Sequence, residues 1–221
     1  MLLYERLAEQ ALMKAGVSVS SQQYFIVVDR NPNVQALLVV WRSVSGSFEL
    51  IGASPVSTGL PDSFDHFETP LGVFEHSITN LDYRAEGTKN SLGIRGYGVK
   101  GRRAYDFGWQ RTARGWGDGA ISEMRLQMHA TDSDLLERRL GSAQSKGCIR
   151  IPSTLNTFID HYGIIDADYE DALKGAKQFG VLDPKRETVS QPGRFLVVVD
   201  SGRLDRSDWC PQPYIPHRRA S

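Results

Sequence analysis

Cysteine is scarce in this chain, and the short motifs that mark common cofactor and metal sites are missing. The two cysteines, Cys148 and Cys210, do not make a disulfide framework. The sequence contains no Cys-x-x-Cys pair, no Gly-x-x-x-x-Gly-Lys-Ser/Thr phosphate loop and no His-Glu-x-x-His zinc motif. The five histidines are scattered without zinc-ligand spacing. We therefore expect neither a metal nor an organic cofactor.

Excess charge and long apolar runs are missing as well. The 26 Lys and Arg residues balance 26 Asp and Glu residues, so bulk attraction to nucleic acid or to an anionic membrane has no support. The longest apolar run, residues 36–41, is far shorter than the roughly 20 residues of a membrane span. The first residues lack the features of a secretory signal. This predicts a cytoplasmic protein, or a periplasmic one if a signal has been removed.

The pattern of apolar residues predicts a mainly β fold with a few short helices. An N-terminal helix is expected within residues 1–20 and a tail rich in Pro and Arg over residues 201–221, around one body at residues 21–200. Residues rich in β-branched and aromatic side chains predict strands at 24–28, 34–44, 47–58, 73–78, 124–129 and 195–199. Two further helices are expected, one after Pro152 and one over residues 166–177.

Residues 86–120 differ from the rest of the chain in composition. Nine of these 35 residues are glycine, and aromatic side chains lie between them. Seven basic residues and one acidic residue, Asp106, occur from Lys89 to Arg114. This composition predicts a lid insertion, at about residues 80–120, that receives an anionic ligand. The alternative is a long solvated loop with no binding role.

The most informative segment is Ser145-Lys146-Gly147-Cys148-Ile149-Arg150, which follows His129. Because side chains alternate along a strand, Ile149 would point to the core and Cys148 to the opposite face with Arg150. The same alternation turns His129 outward together with Arg125 and Gln127. Each strand can thus present one reactive side chain next to polar partners.

This arrangement suits nucleophilic catalysis by a cysteine. A thiol with an ordinary pKa of about 8.5 is only a few per cent thiolate at pH 7, so it needs a base such as His129. Lys146 and Arg150 would favour the thiolate. The backbone N–H groups of Gly147 and Cys148 could stabilise an oxyanion. The alternatives are a small buried cysteine and a redox-sensing thiol.

Four motifs in order carry a resemblance to a known family. They are Val56-Ser57-Thr58-Gly59, Thr69-Pro70-Leu71-Gly72-Val73-Phe74, His129, and the segment from Ser145 to Arg150. Together they resemble the YkuD domain of L,D-transpeptidases over roughly residues 24–175, with residues 195–199 as a last strand. The resemblance implies a YkuD-like β-sandwich with a cysteine nucleophile.

The resemblance also implies a reaction and residue roles. Cys148 would attack the L-centre carbonyl of diaminopimelate in a peptidoglycan tetrapeptide stem, and the terminal D-Ala would leave. His129 would be the base, oriented by the backbone carbonyl of Ala130, and Gly147 would donate its N–H to the oxyanion. The substrate would be held by Arg150, Lys146, Ser145 and Arg125.

Two positions depart from the family pattern. Ala130 stands where the family usually has Gly or Ser, which matters little if only its carbonyl is used. Lys146 stands where the family usually has His, directly before the Gly-Cys pair. We interpret Lys146 as a residue of the substrate cleft that alters carboxylate binding and the pKa of the thiol.

The resemblance leaves several functions open. An L,D-carboxypeptidase that acts on recycled muropeptides is the first expectation. An L,D-transpeptidase that forms cross-links or exchanges D-amino acids is the second, and a non-catalytic peptidoglycan-binding module is the third. The expected partners are a stem peptide or muropeptide, and a carbapenem that acylates Cys148; neither nucleic acid nor a membrane span is expected.

Overall fold

The computed structural model describes residues 1–206, 208–210 and 212. The last nine residues of the tail predicted over 201–221 therefore lie outside the described residues. The fold is mainly β, with two sheets and few helices, as predicted. The strands are β1 Gln23–Asp29, β2 Ala36–Arg42, β3 Phe48–Pro55, β4 Gly72–Glu75, β5 Tyr83–Arg84, β6 Arg103–Ala113, β7 Ile121–Ala130, β8 Ile149–Ile151 and β9 Phe195–Val199. The α-helices are α1 Leu2–Lys14, α2 Ser153–Tyr162 and α3 Ala167–Lys174, and Glu137–Arg139 forms a 3₁₀ turn.

The five-stranded sheet has the order β3-β2-β1-β9-β4, with β1 and β9 parallel at its centre. Both faces of this centre are covered. Phe25 and Val27 pack under α1, whereas Ile26 and Val28 face the core between the sheets. This double burial explains why residues 195–199 are apolar throughout, as expected for a covered strand.

Helix α1 covers the outer face of this sheet. Tyr4, Ala8 and Leu12 recur at helical spacing and are buried against it. The Tyr4 hydroxyl donates to Asp29 Oδ2 at 2.9 Å. This helix lies within residues 1–20, where the apolar pattern predicts one. None of the helices in the described part of the chain is long and apolar enough to cross a membrane.

The four-stranded sheet has the order β5-β6-β7-β8 and carries the candidate site. Strands β6 and β7 form an antiparallel hairpin, and β8 runs parallel to β7. On the other side of β8, Ser57 and Arg150 exchange backbone hydrogen bonds of 2.9 and 3.0 Å. The short strand β8 is thus held on both edges, which fixes the position of the residues just before it.

The lid predicted over about residues 80–120 is not confirmed, because much of this segment is part of the four-stranded sheet. It contains β5 and the eleven-residue strand β6, so only residues 80–82, 85–102 and 114–120 lie outside the strands. The glycines of this segment favour a loop in the sequence. Gly108, however, lies within β6, at an irregularity of the β6–β7 pairing between Asp106 and Trp109, and its own φ is +74°. The basic residue Arg103 is fully buried rather than exposed to a ligand.

Arg103 is the centre of a buried ionic cluster. Its Nη1 and Nη2 atoms lie 2.7 and 2.9 Å from the two carboxylate oxygens of Asp166, and its Nε lies 2.7 Å from Asp82 Oδ2. The guanidinium also lies over the rings of Tyr105 and Tyr169, at 4.9 and 5.1 Å from their centres. The cluster therefore ties β6 to the beginning of α3.

His76 is a further buried member of this cluster and contacts both of its carboxylates. Its Nε2 lies 2.9 Å from Asp82 Oδ2, and its Nδ1 lies 2.8 Å from the carbonyl oxygen of Ile165. Burial lowers the pKa of His76, but the carboxylates of Asp82 and Asp166 outweigh burial and raise the pKa above its ordinary value. The same two carboxylates thus contact both the imidazole of His76 and the guanidinium of Arg103.

We predict that Arg103→Met destabilises the fold by about 3–5 kcal/mol, because it leaves two buried carboxylates without their main cation. The free energy of unfolding by urea measures this loss. Arg111→Met, at an exposed position of the same strand, is the matched control and should stay within about 0.5 kcal/mol of wild type. Equal stability of the two variants would contradict the role of Arg103.

Candidate active site

The register of β7 and β8 brings His129 and Arg150 to one face of the sheet, next to the segment that carries Cys148. The parallel pairing sets Met128 opposite Ile149 and His129 opposite Arg150. Met128 and Ile149 are fully buried in the core, so His129 and Arg150 lie on the other face. Cys148 lies two residues before Arg150, directly before β8, and its side chain is partly buried against the core cluster.

The imidazole of His129 is held by its own neighbour. Its Nδ1 lies 2.8 Å from the carbonyl oxygen of Ala130, the contact that the resemblance implies. With the proton on Nδ1, the lone pair of Nε2 is free to accept a proton. The pKa of His129 is lowered to about 4, mainly because the ring is buried. The contact with Ala130 opposes this shift, and the charge of Arg150 adds to it. The ring is therefore neutral at pH 7, as a base must be.

The Cys148 thiol is partly exposed and donates to the carbonyl oxygen of Arg125 at 3.6 Å. Burial raises the pKa of this thiol above its ordinary value, and the carboxylate of Asp106 acts in the same direction. The backbone of Gln127 and the charge of Arg150 lower the pKa in part. Burial thus favours the uncharged form of the thiol, as it does for the imidazole of His129.

The turn before Cys148 requires glycine at position 147. Gly147 has φ of +132°, and a Cβ there would lie 2.7 Å from the sulfur of Met124. Thr69 supports this turn, because its hydroxyl donates to the Gly147 carbonyl at 2.7 Å and accepts from the Gly59 N–H at 2.8 Å. The Thr-Pro and Thr-Gly motifs therefore act by shaping the segment that carries the cysteine, a role that sequence reasoning missed.

Two expected substrate contacts are engaged within the protein. Ser145 is 1% exposed, and its hydroxyl donates to the Cys148 carbonyl oxygen and accepts from the Gly147 N–H at 3.0 Å. This corrects the expectation that Ser145 faces the substrate. The Gly147 N–H is likewise not a free oxyanion donor in this conformation, because the hydroxyl of Ser145 already accepts from it.

The three expected cations differ in their surroundings. Lys146 is exposed and lies 2.8 Å from a carboxylate oxygen of Asp65. Arg125 is partly exposed, and its Nε lies 2.7 Å from Asp106 Oδ2. Arg150 is partly buried, and no ion pair joins it to any carboxylate of the described residues. Arg150 is therefore the cation best placed to receive a carboxylate of a ligand.

Sequence reasoning did not identify the polar residues behind the site. Asp106 is buried and accepts from Arg125 and from the amide of Gln127, and Gln127 in turn accepts from the hydroxyl of Tyr97. The ring of Tyr97 lies against that of His129. Only the alternation of Arg125, Gln127 and His129 along one strand was a signal for part of this group.

No protein-family model and no curated protein matches this sequence. Within the described part of the chain, no group of three or more His, Cys, Asp or Glu side chains could hold a metal ion.

The depressed pKa of His129 predicts how stability depends on pH. Between pH 6.5 and about 4 the unfolded chain binds a proton at this residue and the folded chain does not, so stability falls as the pH is lowered. His129→Gln removes this contribution. Its loss of stability from pH 7 to pH 4 should be about 3 kcal/mol smaller than that of wild type.

Urea unfolding at the two pH values measures this difference. His161→Gln, at the partly exposed end of α2, controls for the removal of a histidine elsewhere. An unchanged pH dependence in His129→Gln would show that the imidazole is solvated in the folded protein, against the burial described here.

Proposed function

We propose that this protein is a YkuD-type cysteine acyl-transfer enzyme that cleaves the diaminopimelate–D-Ala bond of peptidoglycan tetrapeptide stems. The observation that carries the proposal is the parallel pairing of β7 with β8. It sets the hydrogen-bonded imidazole of His129 beside β8, and the partly exposed thiol of Cys148 belongs to the residue directly before that strand. The order of the motifs, which resembles that family, supports the same chemistry.

In the proposed reaction, the Cys148 thiol gives its proton to Nε2 of His129 as the sulfur attacks the carbonyl carbon of the L-centre. A C–S bond forms, the C–N bond to D-Ala breaks, and the imidazolium returns the proton to the leaving amine. The oxyanion takes the place of Ser145 Oγ at the N–H of Gly147. An acyl-enzyme remains on Cys148.

The charge of Arg150 supports an acidic substrate. A partly buried guanidinium with no carboxylate partner among the described residues is costly, and a substrate carboxylate would offset that cost. The tetrapeptide stem carries carboxylates close to the bond that breaks. A guanidinium can bind a carboxylate through two parallel hydrogen bonds, which also orients the substrate.

We propose water as the main acceptor, which makes the protein an L,D-carboxypeptidase that acts on muropeptides. The imidazole that must deprotonate the acceptor is 5% exposed and lies against the ring of Tyr97. This favours the smallest acceptor. An amine acceptor would instead give an L,D cross-link or an exchanged D-amino acid, and the product distinguishes the two.

A non-catalytic peptidoglycan-binding module is the second candidate. Two observations favour it: burial raises the pKa of Cys148, and the N–H of Gly147 already has a partner within the protein. Such a module would bind the stem peptide equally well with and without the thiol, and would release no D-Ala.

We predict that wild type removes one D-Ala from a disaccharide tetrapeptide, whereas Cys148→Ala removes none because no C–S bond can form. Mass spectrometry of the products measures this, and a cross-linked or exchanged product would indicate transfer instead. Cys210→Ala is the matched control, because Cys210 packs against Val34 and Ala36. It should retain full activity.

A carbapenem provides a second readout of the same thiol. Intact-mass measurement should detect one adduct on wild type and on Cys210→Ala, and none on Cys148→Ala. If wild type neither changes the tetrapeptide nor forms the adduct, the acyl-transfer proposal fails. Peptide binding without turnover, equal in wild type and Cys148→Ala, would establish the binding module.

We predict that His129→Ala lowers kcat for D-Ala release about 10²–10⁴-fold, the usual contribution of a positioned base. The rate is measured by the same assay at saturating peptide, and urea unfolding establishes that the variant is folded. His161→Ala should keep the wild-type rate. A wild-type rate in His129→Ala would mean that another group accepts the thiol proton.

A further inference from the structure

Tyr97 covers the imidazole of His129. The two ring centres are 4.3 Å apart, and the ring planes are inclined by 42°. Tyr97 belongs to the irregular segment 85–102, whereas His129 lies near the end of β7. This is the ring contact by which that segment reaches the candidate site.

A chain of hydrogen bonds holds the hydroxyl of Tyr97. The hydroxyl donates to Gln127 Oε1 at 2.8 Å, and the Gln127 amide donates to Asp106 Oδ2 at 2.8 Å. Because a carboxylate accepts only, Asp106 fixes which end of the amide faces Tyr97. Tyr83 also donates to Gln127 Oε1, at 3.3 Å. The buried carboxylate thus sets the orientation of the aromatic ring.

The backbone on both sides of Tyr97 is fixed as well. Gly98 has φ of +81°, and a Cβ there would lie 2.9 Å from Cβ of Ala130. The N–H of Arg95 donates to Asp132 Oδ2 at 2.8 Å, and its guanidinium lies 2.8 Å from Asp134. The segment is therefore anchored to the residues that follow His129.

We propose that Tyr97 is a positioning residue for His129, held by Gln127, which keeps the imidazole dry and in the orientation that serves Cys148. The proposal rests on the function proposed above for its purpose, although its geometry is independent of any substrate. A ring that covers one face of the imidazole excludes water from it. The same ring restricts rotation of the imidazole, which the Ala130 carbonyl holds from the other end.

Other groups that face this side of the sheet set the background for the test. Arg150 faces His129 from β8, Cys148 lies directly before that strand, and Asp106 lies on β6 behind Gln127. Tyr83 contacts Tyr97, at 5.5 Å between ring centres, and both hydroxyls donate to the same amide oxygen. Tyr83 is therefore a suitable control, since its removal disturbs the same amide.

The test is the titration of His129 by NMR in protein with isotope-labelled histidine, with His129→Gln to assign the signal. Wild type should titrate near pH 4. In Tyr97→Ala the pKa should rise by about one unit or more toward 6.5, because water reaches the imidazole. In Tyr97→Phe, which keeps the ring and loses the bond to Gln127, the rise should be smaller. Tyr83→Phe should leave the pKa within a few tenths of a unit.

An unchanged pKa in Tyr97→Ala would overturn the proposal, and an unchanged pKa in Tyr97→Phe would overturn the part assigned to Gln127. Urea unfolding of each variant separates this effect from a general loss of structure. The rate of D-Ala release tests the catalytic purpose separately. If the pKa of His129 rises in Tyr97→Ala but wild type releases no D-Ala, the positioning role of Tyr97 stands and the proposed enzyme is rejected. If wild type releases D-Ala but the pKa does not rise in Tyr97→Ala, the enzyme stands and the positioning role is rejected.

Discussion

The parallel pairing of β7 with β8 is the constraint on which the candidate site depends. Parallel strands cannot be joined by a tight turn, so residues 131–148 form a long connection that returns the chain to the same end of the sheet. The buried side chains of Met128 and Ile149 set the register. A slip of one residue would turn the imidazole or the thiol into the core, so hydrophobic burial determines where the chemistry lies.

Burial opposes ionisation of both reactive groups in this resting site. It lowers the pKa of His129 and raises that of Cys148, so proton transfer from thiol to imidazole is uphill before a substrate binds. For His129 alone, the change from 6.5 to about 4 corresponds to about 3 kcal/mol. The charge of Arg150 helps the thiolate but hinders the imidazolium. In the proposed reaction, substrate dipoles and the oxyanion contacts must offset the free energy that this proton transfer costs.

Local patterns predicted most of the regular elements. The hairpin of β1 and β2, the doubly covered strand β9 and the helix that ends at Gly163 all follow from short-range signals. Strand β6 was hidden, because its glycine and arginine residues are typical of exposed loops. Arg103 is tolerated in the core only because Asp82 and Asp166, distant in sequence, neutralise it there. No local pattern contains that information.

The alternation of side chains along the sequence by itself determined that His129 and Arg150 point away from the core, and the pairing of β7 with β8 sets these two residues opposite each other. Only the tertiary structure decided what surrounds them. The N–H of Gly147 donates to the hydroxyl of Ser145, the hydroxyl of Thr69 donates to the Gly147 carbonyl, and the ring of Tyr97 covers the imidazole of His129. Alternation along a strand is a property of neighbouring residues, whereas these contacts join segments that meet only when the whole chain packs.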